Sequence, residues 1–406
     1  MNIKDSKYII PDSTPELELG PDWLKERRRS ARHNFNEQPL PHRGIHLWRY
    51  TDPNDLIAFT HKAIDDVVDY NIPNEARKNG VIVTSLTKAI ESHLELVEPH
   101  LYQLVNSESG KLEAENSTLW RNGTFVYVPN KVTISDPIHL THHIGKDTSS
   151  VFPRTLVVVG KQSEITLIDE YEGGPETEEN GHAHINGAIE IVGMEASNTR
   201  YISLQRLSHA TRMYQTHRAR TDKSATMLTI PLAFGGSLTK QNFGVLLDGA
   251  EAESRIYGLL FGSGHQHFDN HTLHHHAHGE TNSDIDIKVV LKDKAVSAYT
   301  GLIRIEQETR NCEAYQTNRN LLLNPGTRAE TIPELEILNE NVSCSHGATI
   351  GSIDPLDIFF LNSRGIPTPE AVRMIVTGFF ASTLKQVPED LRERINVFVA
   401  ERLEGV

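Results

Sequence analysis

Short blocks of alternating or continuous apolar residues occupy the middle of the chain, from about residue 117 to residue 324. They read TFVYVP, RTLVVVG, EITLID, AIEIVG, MLTIPL, SRIYGLLFG, IDIKVVL and TGLIRIE in chain order. Val, Ile and Thr are frequent in these blocks, and this composition with a period of two indicates β-strands. The middle of the chain is therefore predicted to be rich in strands.

A loose repeat of turn and strand runs through the same region. A turn with Gly or Asp is followed by a small or polar residue and then by a strand, as in GKQSEITLI at 160, GMEASNTRYI at 193, DKSATMLTI at 222, GAEAESRIYGLL at 249 and DKAVSAYTGLIRI at 293. The turns recur about every 30 residues, which favours a β-solenoid whose turns bury their faces against their neighbours. Many short strands are also typical of a sandwich or a barrel, so these architectures stay open on the pattern alone.

The first part of the chain, residues 1–110, is polar and has helical spacing. Pro21 and Asp22 suit the start of a helix that runs to about His33, because Pro fits the first turn and a carboxylate fits the positive end of the helix dipole. Residues 63–70 and 84–105 also have spacing that indicates helices. We expect an N-terminal helical region that precedes a β-rich core over residues 111–353.

The last part, residues 354–406, returns to a helical period. Asp354 and Pro355 are typical of an N-cap and a first turn, and Gly365 is typical of the residue just after a helix. Thr368 and Pro388 begin two more predicted helices. We interpret this part as a small helical docking domain. Its aromatic side chains either form an interface or pack against one another: Phe359, Phe360, Phe379 and Phe380.

Composition excludes several classes of protein. A net charge of −14 argues against nucleic acid as the main partner. Two cysteines in 406 residues cannot form a disulfide framework, so we expect a reducing, cytoplasmic location. No apolar run approaches the roughly 20 residues that span a bilayer, and the first residues lack the pattern of a signal sequence. The sequence has no P-loop, GxGxxG or GxSxG motif, so nothing indicates a nucleotide site or a serine hydrolase.

A cluster of histidines is the first candidate for metal binding. In a strand, alternate residues share a face, so His274, His276 and His278 are expected to point the same way. Imidazoles bind zinc, iron or copper, and a stand-alone histidine-rich metal-binding protein is therefore one candidate function. A polar solenoid face that carries several histidines is the other interpretation. The full cluster is His265, His267, His271, His274, His275, His276 and His278.

Cys344 and His346 form the second candidate site, in the stretch NVSCSHGATIG. As residues i and i+2 of a strand they project from one face, and Gly347 leaves room beside them. A thiolate and an imidazole side by side bind a soft metal or part of an iron–sulfur cluster, or they form a thiolate–imidazolium nucleophile. A cluster usually needs four ligands, so a second chain or a substrate would supply the others. Glu334 and Glu336 also share a face, as a carboxylate pair or simply as surface residues.

Several ordered motifs resemble the SufB/SufD family of the SUF iron–sulfur cluster assembly machinery. They are WRYTD at 48, GHQHFDNHTLHHHAHGETNSDIDIKVVLKDKA, TGLIRI, QTNRNLLLN at 316, TIPELEILNENVSCSHGATIG from 331, IDPLDIFFLNSRGI from 353 and AVRMIVTGFF from 371. The resemblance implies a right-handed parallel β-helix between helical N- and C-terminal regions. It also implies a non-catalytic scaffold that holds a transient Fe–S cluster, with no cofactor bound tightly by the isolated chain.

The CSHG tetrad resembles the SufD branch. By that match His346 is the candidate metal ligand, with Cys344 beside it. The SufB branch has a cysteine where this chain has Asn318, and acidic residues where Ser345 and Gly347 flank His346. These departures imply a SufD-like subunit that pairs with a SufB-like paralogue, and that forms a homodimer when it is isolated.

The resemblance also implies a SufC-like ABC-type ATPase as a partner, docked on the C-terminal helices. The residues that carry over to this partner-binding surface are Phe359, Arg364, Gly365 and Phe379. The chain has no ATP motif, so ATP hydrolysis would belong to the partner. A β-helix carbohydrate-active enzyme, with a cleft of carboxylates, is the remaining alternative from the residues alone.

Overall fold

Two long parallel sheets form the body of the protein. The computed structural model describes residues 8–178 and 181–404. Its strands are β1 Lys62–Ile64, β2 Val67–Asn71, β3 Ile82–Ser85, β4 Thr124–Val128, β5 Ile138–Ile144, β6 Ser149–Val151, β7 Arg154–Val159, β8 Glu164–Gly173, β9 Ala183–Gly193, β10 Asn198–Leu207, β11 Thr211–Thr221, β12 Thr226–Ala233, β13 Leu238–Leu247, β14 Glu253–Gly262, β15 His267–His276, β16 Asn282–Leu291, β17 Val296–Ile305, β18 Cys312–Leu322, β19 Arg328–Ile337 and β20 Val342–Ser352.

The chain alternates between the two sheets, and from β7 to β18 each strand pairs with the strand two places later in sequence. Sheet A has the order β19-β17-β15-β13-β11-β9-β7-β4-β3, and sheet B has the order β2-β5-β8-β10-β12-β14-β16-β18-β20. From β7 onwards the pairs are parallel and in register, as in Asn198↔Thr226 and Thr226↔Glu253. The result is a parallel β-solenoid of about 8 turns, which confirms the predicted solenoid and excludes the sandwich and the barrel.

The repeated turns share a backbone conformation, in which one residue has a positive φ. Gln162, Ala196, Ser224 and Glu251 all have a positive φ between 54° and 61°. The N–H groups of the first three donate to the turn of the next rung, at Glu195, Lys223 and Ala250. The residue that follows each is small and buried: Ser163, Ser197, Ala225 and Ala252. The small or polar position in the repeat is therefore a column inside the solenoid.

The helices lie at the two flanks of the solenoid. They are α1 Asp22–Glu37, α2 Asn74–Lys78, α3 Leu86–Ser92, α4 Leu94–Val97, α5 Lys111–Leu119, α6 Pro355–Asn362, α7 Thr368–Leu384 and α8 Glu389–Arg402. The three helices predicted after residue 354 are all present, and the Asp354 side chain caps α6 by accepting from the Leu356 N–H. Among the described residues no helix is long and apolar enough to cross a membrane.

The stretch 63–70 differs from its predicted helix. It forms β1 and β2, which pair with β6 and with β5 respectively. The paired residues lie about 70 to 90 positions apart in sequence, so the local spacing could not reveal these pairings. The stretch 84–105 contains the end of β3 before the two short helices α3 and α4.

A buried ion pair attaches the N-terminal region to sheet A. Arg154 donates to Glu190 at 2.7 Å, and both side chains are fully buried. Glu190 also accepts from the backbone N–H groups of Tyr102, Leu104 and Val105. The carboxylate thereby satisfies three backbone donors of the N-terminal region, which fixes this region against the solenoid.

The solenoid ends differently at its C-terminal side. Within residues 8–178 and 181–404, β19 pairs only with β17, and β20 pairs only with β18. Most residues of β20 are exposed, including Ile350 at 46%. Helices α7 and α8 pack instead on the outer face of sheet B, through an apolar cluster that includes Ile230, Phe261, Val376, Phe380 and Ile395. The last turn of the solenoid is therefore open.

Candidate functional site

Cys344 and His346 lie in β20, on the open last turn. Cys344 packs beside Ile303, Ile305 and Ala314, which face the solenoid interior. Cys344 is in register with Ala314 of β18, and His346 is in register with Gln316. Since alternate strand residues share a face, His346 is directed to the same inner side as Cys344. The solenoid thus presents a thiol and an imidazole together at its open end.

The interior beneath this pair is lined with amides. In β16 the inward positions are Ile285, Ile287 and Val289, but in β18 the residues in register with them are Gln316, Asn318 and Asn320. Asn320 donates to the Asn318 side chain at 2.7 Å and to the Thr349 carbonyl at 3.1 Å. From the sequence, Asn318 was considered only as the position where the SufB branch has a cysteine, and this layer of amides was not predicted. The signal for this layer is in the stretch QTNRN, residues 316–320, where the alternate positions that are apolar in other buried strands carry Gln and Asn.

The thiol of Cys344 is not activated in the chain alone. Burial, and then the neighbouring Cys312 thiol, raise the pKa of Cys344 above its usual value. A thiolate–imidazolium pair would instead require a lowered pKa. This direction does not support the nucleophilic dyad. His346 is exposed, so the inner side of this turn is accessible. Gly347 is directed to the opposite side of the strand, where a Cβ would meet nothing within 4 Å.

The other cysteine has a structural position. Cys312 is fully buried and is preceded by Asn311, which has φ +57°. It continues the column of small residues after each turn, and its thiol lies 3.3 Å from the Thr281 hydroxyl in the rung before. Its place in this column explains its burial without a chemical role.

The histidine cluster divides between two faces of β15. His274 and His276 are buried in the interior, where burial lowers the pKa of His276 to about 4 and holds the pKa of His274 well below its usual value. They contact the hydroxyl groups of Ser254 and Ser283 respectively. His278 lies beyond the strand and is exposed, so the predicted three-histidine face does not form. His271 is on the outer face, where it contacts Asp269 at 2.8 Å.

Glu334 and Glu336 share the outer face of β19, on the side opposite the interior. Glu334 lies 3.5 Å from His46, and Glu336 lies 3.6 Å from Arg304. These carboxylates are therefore directed away from Cys344. No group of three or more His, Cys, Asp or Glu side chains suited to a metal ion occurs in residues 8–178 and 181–404. A soft metal at the open end would find one sulfur and one nitrogen donor on this chain.

The predicted partner-binding residues lie on α6, α7 and the turn between them. α6 has no buried residue, and Phe359 is 69% exposed. The Arg364 guanidinium stacks on the Phe360 ring, with 3.4 Å between Cζ and the ring centroid. Gly365 has φ +82° and open space around it, as a turn after a helix requires. Phe379 is half-buried against Phe380, so it contributes less to the surface.

The chain matches two family models over most of its length. Residues 142–379 match the SUF system FeS cluster assembly SufBD core domain, and residues 54–140 match the SufBD protein N-terminal region. The Bacillus subtilis protein SufD is 25% identical, with 98% of this chain and 97% of SufD covered. Bacillus subtilis SufB is also 25% identical, with 84% of this chain and 72% of SufB covered. A SufBD family protein of Staphylococcus haemolyticus is 24% identical over the same shares. The core model alone spans more than half of the chain, and the chain therefore belongs to the SufBD family of the SUF iron–sulfur cluster assembly system.

Proposed function

We propose that the chain is a SufD-like scaffold subunit, on which a nascent Fe–S cluster is assembled together with a SufB-like paralogue and a SufC-type ATPase. The observation that carries the proposal is the open last turn, which brings Cys344 and His346 to the inner side of an uncovered solenoid end. The cluster is the cargo of this site. Similarity to a relative named SufD over nearly the whole of both chains supports the choice of branch.

The side chains of Cys344 and His346 would supply two of the ligands that an iron–sulfur cluster needs. Thiolate sulfur and imidazole nitrogen are both ligands of iron–sulfur clusters, which usually take four. The chain offers Cys344 and His346, so the remaining ligands would come from the paralogue. Because its pKa is raised, the Cys344 thiol is protonated at neutral pH, and metal binding would have to displace that proton.

The solenoid end also has the properties of an interface. The free edges of β19 and β20 leave backbone groups available to pair with another chain. Apolar side chains are exposed next to these edges: Ile337 at 37%, Leu338 at 48% and Ile350 at 46%. A paralogue with a similar end would bury these side chains and cover Cys344 and His346. Two copies of this chain would pair in the same way when no paralogue is present.

The second interface would be the surface of α6 and the turn after it. Leu356, Phe359 and Phe360 are 71%, 69% and 55% exposed. Three large apolar side chains on one short helix are more than scattered surface residues and suit a protein partner. The ATPase would dock here, and the scaffold itself would have no catalytic activity.

Co-purification tests the composition of the complex. The chain is co-expressed with a SufB-like protein and a SUF-type ATPase, and the complex is isolated by a tag on the paralogue. We expect Ile350→Glu to abolish capture, because it places a charge in the covered end. Val397→Glu is the matched control, since Val397 is 58% exposed on α8. Equal capture of the two variants would contradict an interface at the open end.

A further inference from the structure

A cavity of about 220 Å³ lies between the outer face of sheet A and the N-terminal region. Its floor consists of outward residues from β11, β13, β15 and β17, and its roof is formed by Pro41, Leu47, Trp48 and the first turn of α5. The outer face of sheet A is separate from the inner face that carries Cys344 and His346. The cavity is thus independent of the proposed cluster site.

The guanidinium group of Arg218 borders the cavity, and only part of it is hydrogen-bonded to the described residues. Its Nη1 donates to the carbonyls of His217 and Asn242, each at 2.9 Å. Its Nε and Nη2 have no hydrogen-bond partner among the described residues. Gly244 lies directly beneath, where a Cβ would approach Arg218 Cδ to 3.0 Å. The missing side chain lets the guanidinium lie along the floor with its donors available to an anion.

His271 brings a buried ring nitrogen to the same floor. The side chain is 9% exposed, and its Nε2 lies 2.8 Å from both Asp269 and Lys240. Its Nδ1 is buried and has no hydrogen-bond partner among the residues that the structure describes. Buried polar atoms are almost always paired in folded proteins, so an orphaned one on a cavity wall indicates that something from the cavity pairs with it. A hydroxyl group would satisfy Nδ1 in either tautomer.

The start of α5 also favours an anion. Gly110 precedes the helix, and no side-chain hydrogen bond caps it among the described residues. The positive end of the helix dipole lies at this point of the cavity. Two carboxylates also border the cavity. Glu113 accepts from the Tyr214 and Thr216 hydroxyls, each at 2.7 Å, and Glu334 lies near His46. Glu113 lies close enough to Arg218 for the two charges to interact, so an anionic group would share the guanidinium with this carboxylate.

We propose that this cavity binds a small organic anion. Its phosphate or carboxylate would contact Arg218, a hydroxyl group would pair with His271, and its apolar part would pack on Leu47, Leu273 and Leu302. The volume suits a molecule of about the size of a substituted benzene ring rather than a nucleotide. Phosphate and carboxylate share the chemistry that a guanidinium recognises, so both classes are included in the test.

Calorimetric titration with para-hydroxyphenyl phosphate and with para-hydroxybenzoate tests the proposal on the full chain. Inorganic phosphate and phenol are titrated in parallel, because the first has no apolar part and the second has no anionic group. We expect saturable binding of at least one aromatic anion, with affinity at least tenfold above that for inorganic phosphate or phenol. The stronger of the two aromatic anions identifies the class of anion.

Arg218→Gln is expected to weaken this binding about tenfold or more, the effect of losing a charged hydrogen-bond donor. Arg220→Gln is the matched control, because Arg220 is the next outward arginine of β11 but pairs with Asp222 outside the cavity. Leu302→Trp, which fills the cavity and keeps every charge, should also abolish binding. Absence of saturable binding, or equal affinities in Arg218→Gln and Arg220→Gln, would overturn the proposal. Both of these results concern ligand binding in the cavity alone, so they leave the proposed role in cluster assembly unaffected.

Discussion

The two cysteines of the chain have different surroundings. Cys312 occupies a turn column that other rungs fill with Ser, Ala or Thr, whereas Cys344 lies at the open end, where no further rung covers it. The sequence presents both as isolated cysteines. Only their positions in the solenoid separate a packing residue from a candidate ligand.

Alanine variants of the two cysteines should therefore have opposite effects. Cys312→Ala is expected to lower the free energy of unfolding by about 1 kcal/mol, because a small buried group is lost, and to leave cluster formation unchanged. Cys344→Ala is expected to change stability by less than about 0.5 kcal/mol but to reduce cluster formation with the partner proteins. Urea denaturation and iron content measure the two effects. Loss of iron in Cys312→Ala alone would contradict this division.

At the scale of strands and helices, the alternation of apolar residues predicts the solenoid well. The turns at 160, 193, 222 and 249 are visible because a residue with positive φ is followed by a small buried residue in each of them. In the turn at 293 the positive φ is at Asp293, and the small buried residue, Ala295, comes two places later. The N-cap at Asp354 is equally local and is confirmed. The C-cap of the helix is Ser363, and Gly365, with its positive φ, lies in the turn two residues further on. Local patterns are enough for these features because neighbouring residues determine them.

Features that depend on distant partners were not predictable in the same way. Residues 63–70 became strands through pairing with β5 and β6. His274, His276 and His278 were expected to share one face, but His278 lies after the end of β15. The candidate pair Cys344–His346 was predicted by spacing and by family resemblance. The amide layer of Gln316, Asn318 and Asn320 beneath it required the register of β18 on β16.

A buried charged triad links β5, β8 and the segment between β1 and β2. His142 lies 2.9 Å from both Asp66 and Asp169, and all three side chains are almost completely buried. Burial alone would lower the pKa of His142, but the two carboxylates raise it to about 10. The imidazolium is therefore the stable form in the folded chain at neutral pH.

The triad predicts a dependence of stability on pH. Because the folded pKa is raised from 6.5 to about 10, the contribution of His142 is full below pH 6.5 and is lost as the pH rises through 10. His142→Gln is expected to be less stable by about 3 kcal/mol or more at pH 6, and the difference from wild type should shrink towards pH 10. Urea denaturation of both proteins across this range measures it. A difference that stays constant with pH would contradict a charged His142.

The α6 surface yields a prediction about the ATPase. Phe359→Ala should weaken binding of a SUF-type ATPase about tenfold or more, because exposed aromatic side chains are frequent hot spots of interfaces. Its stability should hardly change, since Phe359 is 69% exposed. Val397→Ala on α8 is the control. Calorimetric affinities that are equal for the two variants would place the ATPase elsewhere.

At the scale of the whole molecule, the two ends of the solenoid are unlike. The N-terminal region covers one end and part of sheet A, and it is fixed there by the Arg154–Glu190 pair. The other end leaves β19, β20 and the inner face of the last turn uncovered. Helices α7 and α8 pack beside sheet B and do not cover this end. The fold therefore leaves one defined place where a second solenoid could complete it.

The central claim is that His346 supplies a ligand to a cluster shared across that end. Its most direct test is anaerobic reconstitution, with iron and sulfide, of the complex with the SufB-like protein and the ATPase. Wild type is compared with His346→Ala and with His265→Ala, which removes an exposed histidine from a turn far from β20. We predict that visible absorbance and bound iron fall sharply in His346→Ala and stay at the wild-type level in His265→Ala. Unchanged cluster yield in an intact His346→Ala complex would contradict the claim.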